Sequence, residues 1–80
     1  MKKNLQLPDD DNLKLSNLCG PFDENLKQIS SGLDIEIIRK GSSFHLNGDK
    51  NNTILGCQLI ESFYNRSSKP ISPEDIQLSL

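Results

Sequence analysis

The stretch Leu18–Lys27 constrains the fold most, because it joins a backbone turn to the beginning of an amphipathic helix. Gly20-Pro21 is typical of a turn that follows a strand, and proline suits the first position of a helix, where its missing amide costs nothing. Apolar residues then recur at spacings of four, three and four, which places on one stripe Phe22, Leu26, Ile29 and Leu33. Gly32 suits the left-handed residue that ends many helices. The sequence therefore predicts a helix over about residues 21–33.

Three strands are predicted around this helix. Leu13, Leu15 and Leu18 predict the first strand, over about residues 12–19, and its end is expected to be bent because Leu18 breaks the two-residue alternation. A β-branched run over residues 35–40 and an alternating run over residues 44–47 flank the turn Gly41-Ser42-Ser43, which predicts a hairpin. Its expected core-facing side chains are Ile35, Ile37, Phe44 and Leu46.

The C-terminal half predicts a second helix over about residues 51–66, with Gly56 in its apolar arc. Because a glycine weakens a helix interior, we expect Gly56 to permit a close approach to the sheet or to the first helix. Pro70 ends this helix, and Ser72-Pro73-Glu74-Asp75 predicts the start of another. The predicted order is β-α-β-β-α. It corresponds to an α+β two-layer sandwich, a three-stranded antiparallel sheet with the third strand in the centre and two helices on one face.

Composition excludes several classes of function. A net charge of −2 argues against a polybasic nucleic-acid binder, and no apolar run is long enough to span a bilayer. Without an apolar signal region the chain is expected in the cytoplasm, where Cys19 and Cys57 are expected to be free, buried thiols. With one histidine, His45, the chain has too few ligands for structural zinc. No nucleophile–base pair or paired carboxylates indicate an enzyme.

Two sets of surface residues are candidates for binding. Lys27 follows the Gly-Pro turn, and Arg39 and Lys40 lie near the hairpin tip, so these cations predict a weak basic rim, extended by Lys50 and Arg66. The alternative is ordinary solvated surface charge.

The second set lies on the predicted hairpin. Ile38 is out of phase with its apolar neighbours, so we expect it, together with His45, on the face of the sheet away from the helices. An exposed isoleucine on an open sheet face is a candidate contact for a partner, and an isolated surface apolar residue is the alternative.

The tetrapeptide Gly20-Pro21-Phe22-Asp23 resembles the Gly-x-x-Gly loop with which KH-type RNA-binding domains clamp a nucleic-acid backbone. An aspartate replaces the second glycine, and Asp23 and Glu24 would repel a phosphate from the helix amides that otherwise attract one. The resemblance predicts that RNA binding at this turn is altered or lost. The alternative is a tight turn whose acids support the helix dipole.

The expected division of the chain is a flexible arm over residues 1–11, a KH-like domain over 12–69 and a linker or helix over 70–80.

A longer resemblance covers about residues 10–80. The residues Leu18-Cys19-Gly20-Pro21-Phe22-Asp23, with Ile35-Glu36-Ile37, Phe44-His45-Leu46-Asn47-Gly48 and Ile71-Ser72-Pro73-Glu74-Asp75-Ile76, resemble the N-terminal KH-like domain of bacterial PhoH-like ATPases. In that family a P-loop ATPase domain follows the module. The motif Gly-x-x-x-x-Gly-Lys-Ser/Thr does not occur in this chain. The chain thus resembles an excised N-terminal domain, and ATP and magnesium are expected in the missing ATPase domain, with no cofactor in this chain.

The resemblance implies a non-catalytic accessory module in RNA metabolism. Its implied partners are its own C-terminal ATPase domain, the endoribonuclease of ribosomal RNA maturation, RNA bound weakly, and further copies in a full-length homo-oligomer. No membrane partner is expected. The alternative is a domain for protein–protein interaction or oligomerisation that binds no RNA.

Overall fold

A computed structural model describes residues 1–8 and 11–80. The elements follow in the order β1 (Lys2–Gln6), α1 (Asn12–Cys19), a single 3₁₀ turn (Pro21–Asp23), α2 (Glu24–Leu33), β2 (Glu36–Lys40), β3 (Ser43–Asn47), α3 (Lys50–Asn65) and α4 (Pro73–Ser79). None of the helices in the described ranges combines the length and the apolar character that a membrane crossing requires.

The three strands form one antiparallel sheet in the order β1-β3-β2. In the hairpin Ile37 lies opposite Leu46, and on the other edge Leu5 of β1 lies opposite Phe44. The predicted α+β class, the antiparallel sheet with the third strand in its centre, and the hairpin are therefore confirmed. The predicted second helix is also confirmed, shifted by one residue at each end.

The first strand was predicted in the wrong place. Residues 12–19 form helix α1, and the strand is formed by residues 2–6, which were expected to belong to a flexible arm. Asp11 begins the helix, because its side chain accepts hydrogen bonds of 3.1 Å from the amides of Leu13 and Lys14. Leu18 does not fit the two-residue alternation of a strand because the buried residues of this segment follow a helical spacing, namely Leu15, Leu18 and Cys19. Of the predicted arm, Asp9 and Asp10 lie outside the described residues.

The first predicted helix also needs two corrections. Phe22 does not belong to its apolar stripe: the side chain is 87% exposed, and α2 begins after it. Gly32 does not end the helix but lies within it. The left-handed residue is Asp34, with φ of 53° and an amide that donates to the carbonyl of Ser30.

The core lies between the sheet and the helices on one of its faces. Phe44 and Leu46 of the central strand are buried in this core, together with residues from α2 and α3 such as Ile29 and Ile60. Gly56 allows α3 to approach the sheet, since a Cβ there would lie 2.7 Å from Ile35 Cδ1 and 2.9 Å from Leu46 Cδ2. The expected role of this glycine is therefore confirmed for the sheet.

The segment after α3, residues 70–80, for which a linker or a helix was predicted, packs against the domain. Ile76 of α4 is fully buried. Asn25, which is itself buried, donates from Nδ2 to the carbonyls of Leu18 and Ile71, both at 3.0 Å. Ser72 caps α4 by accepting from the amide of Asp75, which confirms the predicted helix start. The C-terminal segment therefore holds the end of α1 and the start of α2 in place.

Thr53 in α3 provides a test of the core. Its hydroxyl is buried and has no hydrogen-bond partner within the described part of the chain. Because an unsatisfied buried hydroxyl costs about 1–3 kcal/mol, Thr53→Val is expected to raise the free energy of unfolding by about 1–2 kcal/mol in chemical denaturation. Thr53→Ser keeps the hydroxyl and should not stabilise. A loss of stability in the valine variant would show that the hydroxyl is paired.

Candidate nucleic-acid interface

The turn Gly20-Pro21-Phe22-Asp23 joins two helices, α1 and α2, and not a strand to a helix as predicted. Gly20 has φ of 76° and ψ of 175°, and a Cβ at this position would lie 3.0 Å from Nδ2 of the buried Asn25. Glycine is therefore required here for two reasons, its backbone conformation and the lack of space.

Phe22 and Asp23 both lie in the left-handed region, with φ of 55° and 56°. A bulky residue such as phenylalanine is rare in this conformation, and each such residue costs about 1–3 kcal/mol. Hydrogen bonds close the strained turn, because the Asp23 amide donates to the Gly20 carbonyl and the Glu24 amide donates to the Pro21 carbonyl. These two amides are used within the turn and are not offered to a phosphate.

A shallow groove of about 270 Å³ opens beside this turn, between α2 and the edge strand β2. Its lining residues are Asp23, Leu26, Lys27, Ser30, Ser31, Ile37 and Arg39. Helix α2 contributes Lys27 one turn after its start, and β2 contributes Arg39 from its helix-facing side, opposite Phe44. The lining thus combines two apolar side chains with two cations, which suit an anionic chain. Of its two hydroxyls, that of Ser30 already donates to the Ile35 carbonyl.

Asp23 forms an ion pair with one of the two cations, Arg39. Its Oδ1 lies 3.7 Å from Nη2 of Arg39, while Nη1 of the same guanidinium donates to the carbonyl of Gly41 at 2.9 Å. Both partners of this ion pair are partly exposed, so the pair is weak and a stronger anion can replace the carboxylate. Asp23 thus competes with any phosphate for Arg39.

The structure brings together only part of the predicted basic rim. Gly20 and Pro21 form the turn, and Lys27 and Arg39 line the adjacent groove. Lys40 follows Arg39 in β2, so its side chain lies on the opposite face of the sheet.

The two other cations of the predicted rim lie outside this groove as well. Lys50 is the first residue of α3, and Arg66 stacks over the Phe63 ring at 4.8 Å from its centroid at the end of α3.

Ile38 and His45 lie opposite each other on the open face of the sheet, as the strand alternation predicts. Ile38 is 48% exposed, and His45 Nδ1 donates to Asn4 Oδ1 at 2.6 Å. They border a hollow of about 250 Å³ whose lining residues are Lys2, Asn4, Glu36, Ile38, His45, Leu46 and Asn47. This face is mainly polar, with one isoleucine on its edge strand β2.

Cys19 and Cys57 are free and buried, as predicted. Burial raises the pKa of the Cys19 thiol to about 11, against a smaller opposing effect of Arg39, and burial likewise raises the pKa of Cys57. Both thiols are therefore protonated and unreactive near neutral pH. Within residues 1–8 and 11–80 no group of three or more His, Cys, Asp and Glu side chains is placed to hold a metal ion.

Sequence reasoning missed the exposure of Phe22 and the pairing of Asp23 with Arg39. Phe22 fits the helical spacing of α2, and only the left-handed backbone of the turn removes it from that stripe. The available signal was the Gly-Pro pair directly before it, which favours a turn that extends past the proline. Comparison of the chain with protein-family models and with solved structures found no match.

Proposed function

We propose that this chain is a non-catalytic, KH-like module that contacts single-stranded RNA weakly through the groove between α2 and β2. The observation that carries the proposal is the position of Lys27 and Arg39 on either side of that groove, next to the left-handed Gly20–Asp23 turn. A groove with cations on both sides can follow a phosphate backbone while the bases contact its apolar side chains.

The proposed affinity is low. Two cations contribute few phosphate contacts, one of them is paired with Asp23, and the chain carries a net charge of −2. Binding is therefore expected in the non-specific range, with a dissociation constant of about 10⁻⁴–10⁻⁶ M near physiological salt. A module of this strength acts as an accessory to another RNA-binding part.

The resemblance to the N-terminal domain of PhoH-like ATPases supports such a role. On this proposal the module belongs to a cytoplasmic ATPase of RNA metabolism, contributes weak RNA contact and docks to the ATPase domain or to a partner nuclease. The ATP and magnesium chemistry would lie in the ATPase domain.

Three charge-matched variants test the groove. Lys27→Gln and Arg39→Gln each remove a groove cation and should weaken binding to a single-stranded oligonucleotide by about threefold to tenfold at low salt. Lys40→Gln removes the same charge on the opposite face and should have a much smaller effect. With two phosphate contacts the slope of log K against log salt should be about −1.4, and each groove variant should reduce it by about 0.7. Circular dichroism checks that each variant is folded.

Equal effects of all three variants would mean that only net charge matters and that the groove is not the binding site. If the wild-type chain binds no oligonucleotide even at low salt, the RNA proposal is wrong. The protein-interaction alternative would then be the better account.

A specific observation favours docking as a second function. The open sheet face carries Ile38 beside a hollow, and covering one isoleucine is worth about 1.5–3 kcal/mol. We propose that this face, with Ile38 and His45, meets the ATPase domain or another subunit.

The strand register predicts that Ile37 and Ile38 contribute differently to the stability of the fold. Ile38→Asp should change the free energy of unfolding of this chain by less than about 1 kcal/mol, because the side chain is half exposed on the open face. Ile37→Asp, one residue earlier, should cost about 3 kcal/mol or more, because Ile37 packs against the core. Urea denaturation compares the two. In the full-length protein Ile38→Asp should weaken assembly, measured by sedimentation, and an unchanged assembly would contradict docking at this face.

A further inference from the structure

We propose that Phe22 is a base-stacking residue, on which an unpaired nucleobase lies while the phosphates of the same strand lie along Lys27 and Arg39. This inference rests on the proposed function of the groove. It specifies that the chain recognises the flat face of a base and that Phe22 is the residue that recognises it.

The first observation is the exposure of Phe22. The side chain is 87% exposed at the tip of the turn, although the spacing of the helical stripe would have suited it to the core. A large aromatic side chain held away from the core presents its ring face to the solvent. Every nucleobase has a complementary flat face, and the stacking of a base on an aromatic ring tolerates any sequence.

The second observation is the backbone. Phe22 has φ of 55° and ψ of 30°, which glycine adopts without strain and phenylalanine does not. Stability alone therefore does not favour phenylalanine here, because the residue adds strain and contributes little buried surface. Strained positions of this kind concentrate at functional sites, so the pair of observations indicates a role for the ring.

The third observation is the location, which favours a nucleic acid over a protein pocket. Asp23, the next residue, lines the groove that carries Lys27 and Arg39. Phe22 thus presents an exposed aromatic ring one residue away from a groove that carries two cations. Proteins that hold single strands without reading their sequence combine these two features. An apolar pocket on a protein partner would require no such cations.

Two oligonucleotides separate stacking from phosphate contact. The probes are an oligoadenylate and an abasic oligonucleotide of the same length, titrated at low salt. The wild-type chain should bind the oligoadenylate at least about fivefold more tightly, the factor that corresponds to ~1 kcal/mol of stacking. Phe22→Ala should lose this preference and keep its affinity for the abasic probe. Phe22→Gly, which also relieves the backbone, should lose the preference without losing thermal stability.

A direct readout uses the absence of tryptophan from the chain. Phe22→Trp introduces a single tryptophan, whose fluorescence a stacked base should quench on addition of the oligoadenylate. Leu78→Trp is the matched control, because Leu78 is equally exposed at 87% but lies on α4 and not in the turn beside the groove.

The two proposals fail differently. If both probes bind equally to the wild-type chain and Phe22→Ala changes neither affinity, the stacking role is wrong while the groove remains the RNA site. Equal quenching in the Phe22→Trp and Leu78→Trp chains also contradicts it. If neither probe binds at low salt, the proposed function itself fails, and the stacking role fails with it.

Discussion

Asp23→Gly is expected to raise the affinity of the chain for a single-stranded oligonucleotide by up to about fivefold. The substitution frees Arg39 from its carboxylate partner 3.7 Å away and removes a negative charge from the groove. An exposed ion pair of this kind is worth up to about 1 kcal/mol, which corresponds to a factor of about five. Glycine also tolerates the φ of 56°, so the turn is expected to survive the change. Fluorescence anisotropy of a labelled oligonucleotide measures the effect.

Asp34→Gly is a closely matched control. Asp34 is also an aspartate in the left-handed region, with φ of 53°, but it ends α2 and does not line the groove. The same charge is therefore removed and the same backbone strain relieved away from the proposed site. Asp34→Gly should stabilise the fold slightly and leave affinity nearly unchanged. If both variants improve binding equally, Asp23 does not block the groove, and only the net charge of the chain limits binding.

Gly56→Ala is expected to destabilise the domain by about 1–2 kcal/mol, although alanine is the better helix former by ~1 kcal/mol. The new methyl group would lie within 3 Å of two terminal methyl groups, those of Ile35 and Leu46, both of which are buried. Overpacking a filled core costs about 1–3 kcal/mol or more, and here it exceeds the gain in helix propensity. The melting temperature should fall by about 4–8 °C per kcal/mol for a domain of this size.

Gly32→Ala provides the comparison within the same fold. Gly32 also lies inside a helix, but its Cβ would meet Leu80, which is more than a third exposed and can turn towards solvent. This variant should therefore gain up to about 1 kcal/mol in stability. Opposite changes in the two melting temperatures would support the close contact of α3 with the sheet. A gain in both would mean that α3 stands further from the sheet than described.

Local patterns were sufficient for the hairpin and for the two long helices. The alternation of residues 35–47 around Gly41 predicts both strands and their faces, because each side chain's side of the sheet follows from its parity. That parity also places Ile38 and His45 on the open face before any tertiary contact is considered. Strong helical spacing in α2 and α3, together with the capping residues of α4, likewise depends only on near neighbours in the sequence.

Residues 2–6 and 12–19 were assigned wrongly because their local signals were weak and opposed. Leu13 and Leu15 imitate a strand, and residues 2–6 are mostly polar. Yet β1 pairs with β3 across some forty residues of sequence and requires few apolar side chains, because it lies at the sheet edge. Pairing of this range depends on the available edge of the hairpin and leaves little trace in a local pattern.

The features of the candidate site were likewise predicted only in part from the sequence. Near neighbours in the sequence predict the Gly-Pro turn, the helix that follows it and the alternation that separates Arg39 from Lys40. The folded chain was needed to show that Lys27 and Arg39 line one groove, that Asp23 pairs with Arg39 and that Phe22 is exposed. This difference arises because local spacing sets the direction of a side chain within its own element. The packing of α2 against β2, and the buried Asn25 that holds the turn between α1 and α2, set what that side chain meets.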